Sequence, residues 1–563
     1  MTLILLAIRR GPYVSPHLEP ARYLHKELWG KGLHLTTDKV PGCQETYVSR
    51  SHVTSLRLRD LGFNEEALLV RNEYVTTLKT LADMSARYEG VLITGQRGAG
   101  TSSSLFITLL GAYNITTSGK SCFLFFTLLY RLCSGKPTAF QISNTIFVFE
   151  KNGVTGYNTL YADPDVLPKG TWALVDSKDF ETVPCGTFLM ASRENLAFIV
   201  QATSLMLSHL TSWTVEGRVL PYVMDTFSSL EFISLGLVEP TIGSVRSHSY
   251  SANSKVLGLD GEALTGHSRR WGPSARICVE LQRAPLMSPF FTSKVATAAA
   301  AFVDDFGRID ELQAMTFSDI LFAVRPEGPD MPQRLGGIVT VATDYFNQVL
   351  TEAAVAADPL RRVEFYKMMT IHQGLESSAL YMLRNFFCAW FFNGQKTPKL
   401  RCSATPGARP RFSILPICED VHRMTKFSAL KRANDLQRPF GWLPISQLFA
   451  FADAIICTDQ YIITVKVTVS SAIKVDRIGL DRIKKNLPSQ FQANRTWIHV
   501  FVTDDEDKAI RLRIRQFKSL AEEDISVYSA VLDIHQIALN AEDLRRVEEA
   551  GVSSHWPFYL MFT

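Results

Sequence analysis

The sequence predicts an α/β protein with a parallel sheet in its N-terminal half, a mostly helical connector and a second α/β domain toward the C-terminal end. Three observations carry that expectation. The β-branched apolar run Gly90–Thr94 leads straight into a glycine-rich stretch, Gly95-Gln96-Arg97-Gly98-Ala99-Gly100. Further apolar runs of strand length follow at Ile146–Phe149, Thr171–Asp176 and Ala197–Ser204. Beyond residue 374 the pattern reads helix, three strands, helix, strand, in that order.

Composition supports packed domains. The chain has 563 residues, 46% hydrophobic and 20% charged, which excludes wholesale disorder and leaves room for several cores. A formal net charge of +4 argues neither for nor against a nucleic-acid partner, so any basic surface must be local. Nine cysteines (Cys43, Cys122, Cys133, Cys185, Cys278, Cys388, Cys402, Cys418 and Cys457) show no C-x-x-C spacing. They read as free thiols of a reducing compartment, and zinc is not expected. The apolar start Met1–Ile8 runs into Arg9-Arg10 with no basic residue before it, the wrong order for a signal peptide. The most apolar tract, Ser104–Leu132, is broken by Gly111, Asn114, Gly119, Lys120 and Arg131 and makes a poor membrane span. An intracellular chain with no membrane partner is the expectation.

Residues 1–60, with Pro12, Pro16, Pro20 and Pro41, are expected to be an irregular lead-in. Helical spacing from Asn64 to Leu81 predicts a helix before the strand at Gly90. Gly95 to Gly100 then match the first six positions of G-x-x-x-x-G-K-[ST], but Thr101-Ser102 stand where Lys and Ser belong. Lys120-Ser121 appear later, at the head of an apolar run of helix length. Removing residues 101–119 restores a full Walker A loop between a strand and a helix. Glycines at both ends, Gly100 and Gly119, are compatible with splice sites in one codon phase, so 101–119 is expected to be a retained intron or an insertion.

In such a loop, backbone N–H groups and a helix N-terminus surround phosphates, Lys neutralises the β/γ oxygens and Ser binds Mg²⁺. ATP and Mg²⁺ are therefore the expected ligands, on Gly95, Gln96, Arg97, Gly98, Ala99, Gly100, Lys120 and Ser121. Asp176, ending the strand Thr171–Asp176, fits the carboxylate that holds Mg²⁺ through water. The strand Ala197–Ser204 ends in polar Thr203, either a γ-phosphate sensor or an ordinary turn. Tyr222–Phe232 reads as a strand, a capped turn at Ser228 and a helix start. Residues 236–269 read as a loop or a second mis-spliced piece. Trp271–Leu281 reads as a turn entering a helix, where Arg276 is a phosphate-reaching or a surface arginine. A P-loop NTPase parallel sheet is thus expected over 61–290, with a mostly helical connector over 291–373 holding one strand near Ile320–Val324.

Over 374–563 the element order is that of a restriction-endonuclease-like domain. The elements are a helix Ser377–Phe392, a basic loop Lys396–Arg411, strands at Phe412–Ile417, Leu448–Thr458 and Tyr461–Ser471, a helix Gly479–Leu487 and a strand Thr496–Thr503. Such nucleases hold Mg²⁺ between two carboxylates while a lysine orients water. Asp453 takes the first carboxylate position and Lys466 the lysine. Alternation puts Thr464, Lys466, Thr468 and Ser470 on one face of their strand. The second carboxylate is missing from the motif, with Glu376 or Glu419 as candidates, so weakened metal affinity is expected. An ordinary sheet edge with solvated polar residues is the competing reading.

Taken together, the Gly95–Gly100 loop with Lys120-Ser-Cys-Phe-Leu-Phe-Phe126, the strand Phe198–Ser204, the block Trp271–Arg276 and Val467–Ser470 resemble Crinkler and retrotransposon-hot-spot type proteins. The resemblance spans roughly residues 60–560. It implies a P-loop NTPase joined to a restriction-endonuclease-like module, with DNA as partner and the nucleus as place of action. Where that family often carries Gln-x-Thr, this chain has Lys466-Val467-Thr468. Three functions follow as expectations: an ATP-dependent nuclease-like effector, a nucleotide-gated binding protein that does not cut, and an inactive product of a mis-spliced gene.

Overall fold

The computed structural model describes residues 15–32, 38–40, 46–63, 68–95, 119–177, 184–203, 218–238, 259–306, 318–372, 374–393, 420–424, 426–436, 438–444, 451–470, 477–493, 495–505, 507–509, 511 and 525–532. Expectations for Gln96, Arg97, Gly98, Ala99, Gly100, 101–118, the basic loop 396–411, the strand 412–417 and Glu419 lie outside these residues. The protein is mixed α/β and divides into two compact units. The first holds residues 1–298 and 307–346, the second 299–306 and 347–563.

The first unit is built on a seven-stranded mixed sheet. Its strands are β4 (Gly90–Gly95), β5 (Thr138–Ile142), β6 (Thr145–Glu150), β7 (Gly153–Asn158), β8 (Thr171–Asp176), β9 (Ala197–Ala202) and β10 (Val219–Met224). They lie in the order β10-β4-β9-β8-β5-β6-β7. The five from β10 to β5 are parallel, and β6 and β7 extend the sheet antiparallel. The expected all-parallel sheet is therefore mixed. The β5–β6 and β6–β7 connections are tight hairpins, which can only join antiparallel strands.

Both faces of the parallel part are covered, which is why its strands are apolar throughout. Val91, Ile93, Trp172, Leu174, Phe198 and Val200 join one core, while Leu92, Ala173, Val175, Ala197 and Ile199 join another. Strand alternation sorts them. The first core receives α1 (Leu18–Leu28), α2 (Asn72–Met84) and α3 (Gly119–Cys133). Phe123, Leu124, Phe125, Phe126, Leu128, Leu129 and Leu132 of α3 are all buried, so its run of apolar residues reflects burial on every side. The second core receives α4 (Gly186–Arg193) through Phe188 and Ala191.

Several elements differ from expectation. The stretch expected to be an irregular lead-in contains α1 and the strands β1 (Asp38–Lys39) and β2 (Thr46–Val48). The expected helix over 64–81 yields β3 (Leu68–Val70) before α2 begins, because those three buried residues pair antiparallel with β2. Pairing across the chain here overrides the helical spacing. Within the stretch expected to be loop, α6 (Gly261–Trp271) follows α5 (Ser229–Val238), with Asp260 accepting from the Glu262 N–H as its cap. In the expected connector, β11 (Phe322–Pro326) pairs antiparallel with β12 (Gly337–Val341), where Ile338–Val341 had read as helical. One helical stretch among the described residues, Pro285–Asp304, is long and apolar enough to cross a membrane. Of its apolar window 28% is buried, with Val295, Ala299, Phe302 and Val303 on the packed side.

The second unit carries a six-stranded mixed sheet in the order β13-β14-β15-β16-β17-β18. These are β13 (Asp420–Met424), β14 (Phe440–Pro444), β15 (Ala454–Cys457), β16 (Tyr461–Val467), β17 (Thr496–Thr503) and β18 (Ile525–Val531). β15 is antiparallel to both neighbours, while β16, β17 and β18 run parallel. The expected helices appear as Glu376–Asn393 and Arg477–Asn486.

A buried charge network secures the end of β10. Arg71, just before α2, pairs with Glu231 at 2.9 Å and donates to the carbonyls of Asp225 and Thr226. Glu73 accepts from the Asp225 N–H at 3.0 Å and pairs with Arg334 at 2.6 Å. Glu231 also caps α5 with Ser228: each side chain bonds the other's backbone N–H. Arg71→Met is expected to destabilise the protein by about 3–5 kcal/mol, since it leaves the Glu231 carboxylate buried without its cation. Urea unfolding measures this, and adding Glu231→Gln should recover part of the loss.

Candidate functional site

In the first unit, the register pairs Gly95 with Met224 and Asp176 with Ala202 at the carboxyl ends of parallel strands, with Ala202 opposite Ile93 of β4. Ligands of open α/β sheets bind at such an edge, where the chain changes direction. β4 is that point here, since the chain leaves it toward β5 on one side and returns to β10 on the other.

Gly95 has φ +146°, and a Cβ there would stand 2.9 Å from the Met224 carbonyl oxygen. Only glycine suits the position. Lys120, in the first turn of α3, is buried and its Nζ donates to the Gly95 carbonyl at 3.0 Å. Ser121, also buried, donates from Oγ to Asp176 Oδ1 at 3.1 Å. Thus Lys120 and Ser121 meet the end of β4 and the end of β8 although residues 101–119 intervene in sequence. Gly95, Lys120, Ser121 and Asp176 form one constellation at a helix N-terminus, where orphan N–H groups favour an anion.

The neighbouring strand adds Gln201, whose Nε2 donates to Ser177 Oγ at 2.7 Å, and Thr203, whose N–H bonds the Ile93 carbonyl. Gln201 was not singled out from sequence, because a lone polar residue inside an apolar strand carries no motif. Arg276 pairs with Glu280 at 3.0 Å within its own helix, its side chain 11% exposed.

In the second unit, Asp453 and Lys466 are brought together. Asp453 stands just before β15, its N–H bonded to the Val465 carbonyl at 2.7 Å. Its Oδ2 accepts the Val467 N–H at 2.8 Å, and its Oδ1 receives Lys466 Nζ at 3.5 Å and the Arg384 guanidinium. Arg384 comes from the helix Glu376–Asn393, while Glu376, a candidate second carboxylate, is exposed. Among the described residues no group of three His, Cys, Asp or Glu could hold a metal ion.

The expected polar row of β16 is buried at Thr464 and Thr468. Thr464 Oγ1 donates to the Ile498 carbonyl, so His499 Nδ1, 2.7 Å away, donates to Thr464. Burial, with Lys466 nearby, lowers the His499 pKa to about 3. Burial, then Asp453, pushes the Cys388 thiol up to about 12. Both groups are neutral at pH 7. Neither Arg384 nor His499 was marked by sequence: Arg384 stands beside Asn385 in an otherwise apolar helix and His499 alone in an apolar strand.

Compared with known proteins, the chain matches no family model and no curated protein.

Gly95→Ala is expected to cost on the order of 1–3 kcal/mol through its backbone conformation, with the Met224 contact adding to it. Thermal and urea unfolding beside Gly170→Ala, a control at φ +83° with open space around it, isolate the close contact. His499 gives a pH test. Its folded pKa lies below the ordinary 6.5, so between 6.5 and about 3 the unfolded chain holds a proton that the folded chain lacks. That stability is complete above 6.5 and is lost as pH falls toward 3. Unfolding midpoints at a series of pH values should therefore slope less steeply in His499→Gln than in the native chain.

Proposed function

We propose that the chain is a P-loop NTPase that binds ATP with Mg²⁺, joined to a restriction-endonuclease-like module directed at DNA that binds without cutting. One observation carries the nucleotide half: Lys120 on Gly95 and Ser121 on Asp176, at the carboxyl edge of a covered parallel sheet.

The residues present suit the ligand. Gly95 leaves room for close backbone approach, and the start of α3 supplies N–H groups and a positive dipole end to phosphate oxygens. Lys120 offers a buried ammonium at the strand end, and an ammonium bonds a phosphate oxygen more strongly than the neutral carbonyl it meets here. Ser121 and Asp176 together offer a hydroxyl and a carboxylate to Mg²⁺, the hard oxygen donors that ion takes. Bound Mg²⁺ would supply charge neutralisation across the phosphates. Ser177 directly follows Asp176 and accepts from Gln201 of the neighbouring strand β9.

For the C-terminal half, the support is the order of its sheet and the meeting of Asp453 with Lys466 at one edge. Two cations around a single carboxylate favour binding over metal-assisted cleavage, the reading in which the module holds DNA intact.

Isothermal calorimetry with ATP and Mg²⁺ tests the nucleotide half. The full chain, or the chain lacking residues 101–119, should bind, and Lys120→Ala should weaken binding by at least about tenfold, or 1.4 kcal/mol. Asp176→Asn should reduce the gain that Mg²⁺ brings. Equal affinity in Lys120→Ala, or no binding by either length of chain, would overturn the reading.

A further inference from the structure

We propose that the outward side of the helical layer on the second unit's sheet docks the phosphodiester backbone of duplex DNA through Lys431, Arg432, Arg482, Lys485, Arg438 and Arg495. The inference rests on the reading of this half as DNA-directed and gives the partner a surface.

Packing fixes which side chains face out. The 3₁₀ helix Phe427–Asp435 and the helix Arg477–Asn486 pack side by side, and the short helix Ser489–Ala493 follows. Leu430, Ala433, Leu480, Ile483 and Phe491 go inward, into one core with Phe440, Trp442, Ile455 and Ile462 of the sheet. Leu480 and Ile483 take one side of their helix, so Arg482 and Lys485, three apart on the other side, are exposed. Lys431 and Arg432 fill the two exposed positions between Leu430 and Ala433. Arg438 and Arg495 join the layer at Phe491, with their guanidinium groups 5.2 and 3.8 Å from its ring centre. Arg495 also donates to the carbonyls of Thr458 and Phe491, and Arg438 pairs with Asp459 at 3.1 Å. These two cations are held before any ligand arrives. Thr458 follows the last residue of β15 and Asp453 precedes its first, so this part of the surface lies at the opposite end of that strand from Asp453.

Charge is the second argument. Segments 426–438 and 477–495 hold nine Lys or Arg against two Asp, in a chain whose totals are 59 and 55 acids and so nearly balanced. Of the six named cations, Arg438 alone has an ion-pair partner among the described residues. Asp435 and Asp481, the carboxylates of these segments, are exposed and too few to cancel the excess. A duplex carries one negative charge per about 1.7 Å of its axis, so cations spread over a layer meet several phosphates at once. Exposed Ser428, Asn434, Ser489 and Gln490 stand among them, side chains of the kinds that bond phosphate and sugar oxygens. A lipid surface would call for apolar groups in those places, and Ile478 is the one large apolar side chain exposed among the described residues of the layer. Backbone contacts read no base. Binding here is therefore salt-dependent and indifferent to sequence and to Mg²⁺.

The test is fluorescence anisotropy of the full chain with a labelled duplex oligonucleotide over a range of salt concentrations. Arg482→Glu with Lys485→Glu, and separately Lys431→Glu with Arg432→Glu, should each weaken binding at least about tenfold and lower the salt slope by about two phosphate contacts. Lys79→Glu with Lys367→Glu, at exposed lysines outside the layer, changes the net charge equally and should leave most of the affinity in place. Circular dichroism melts confirm that each variant is folded. A second duplex of unrelated sequence should bind as the first does, in EDTA as in Mg²⁺. If duplex binds but the layer variants weaken it no more than the Lys79 and Lys367 control, the surface is wrong while the DNA-directed reading stands. If the chain binds no duplex at low salt, both fall, and capture of that chain on phosphatidylserine vesicles would make the layer a membrane surface.

Discussion

In the first unit, the ammonium of Lys120 meets the carbonyl of Gly95 where a helix start and a strand end come together. A buried amine must have an acceptor, and a strand's last carbonyl is one of the few groups in a parallel sheet that can provide it. For the two to meet, α3 must start directly over the end of β4. Its start is fixed by its packing, since a helix with Phe123, Phe125, Phe126, Leu128, Leu129 and Leu132 all buried has little freedom to slide along its axis. The strand end is fixed as well, because Gly95 lies against the backbone of Met224 at a distance that no side chain at position 95 would allow. The contact therefore follows from two packed elements and is independent of the length of chain between them.

The other half of that constraint lies on β10. Its end reaches the same edge as Gly95, and four charged side chains from residues 71, 73, 231 and 334 hold it there. Buried ion pairs are poor sources of stability, because desolvation offsets most of the Coulomb gain. They do restrict geometry. Arg71 and Glu73 bond Asp225 and Thr226 through backbone atoms as well as through charge, which fixes where β10 stops. A site built on strand ends needs those ends held, and polar bonds with direction do that better than apolar contacts.

How much of this was legible follows from the same physics. Strands β4, β8 and β9 are buried on both faces, so they appear in sequence as largely apolar runs. Several of the strands that were missed have mixed or interrupted composition. Gly153-Val-Thr-Gly-Tyr-Asn158 has two glycines and sits at the sheet's edge, Phe440-Gly-Trp-Leu-Pro444 carries glycine and proline, and Asp420–Met424 is polar and lies at the other sheet's edge. Pairing with a neighbour makes them strands, and pairing is not written locally. The same holds for side chains. Lys120, Ser121 and Asp176 could be named from motif spacing, and the fold brings them together. Arg384 and His499 gain their roles only from partners 69 and 35 positions away, Asp453 and Thr464.

Asp176 and Asp453 are residues of one kind at the edges of two sheets, and their surroundings divide their chemistry. Asp176 accepts the Ser121 hydroxyl on Oδ1. The two carboxylates differ in their donors: a hydroxyl reaches Asp176 at the end of β8, while a guanidinium, an ammonium and a backbone N–H reach Asp453 just before β15. The difference lies in what the helix brings to the sheet, and a motif read along one strand has no means of recording it.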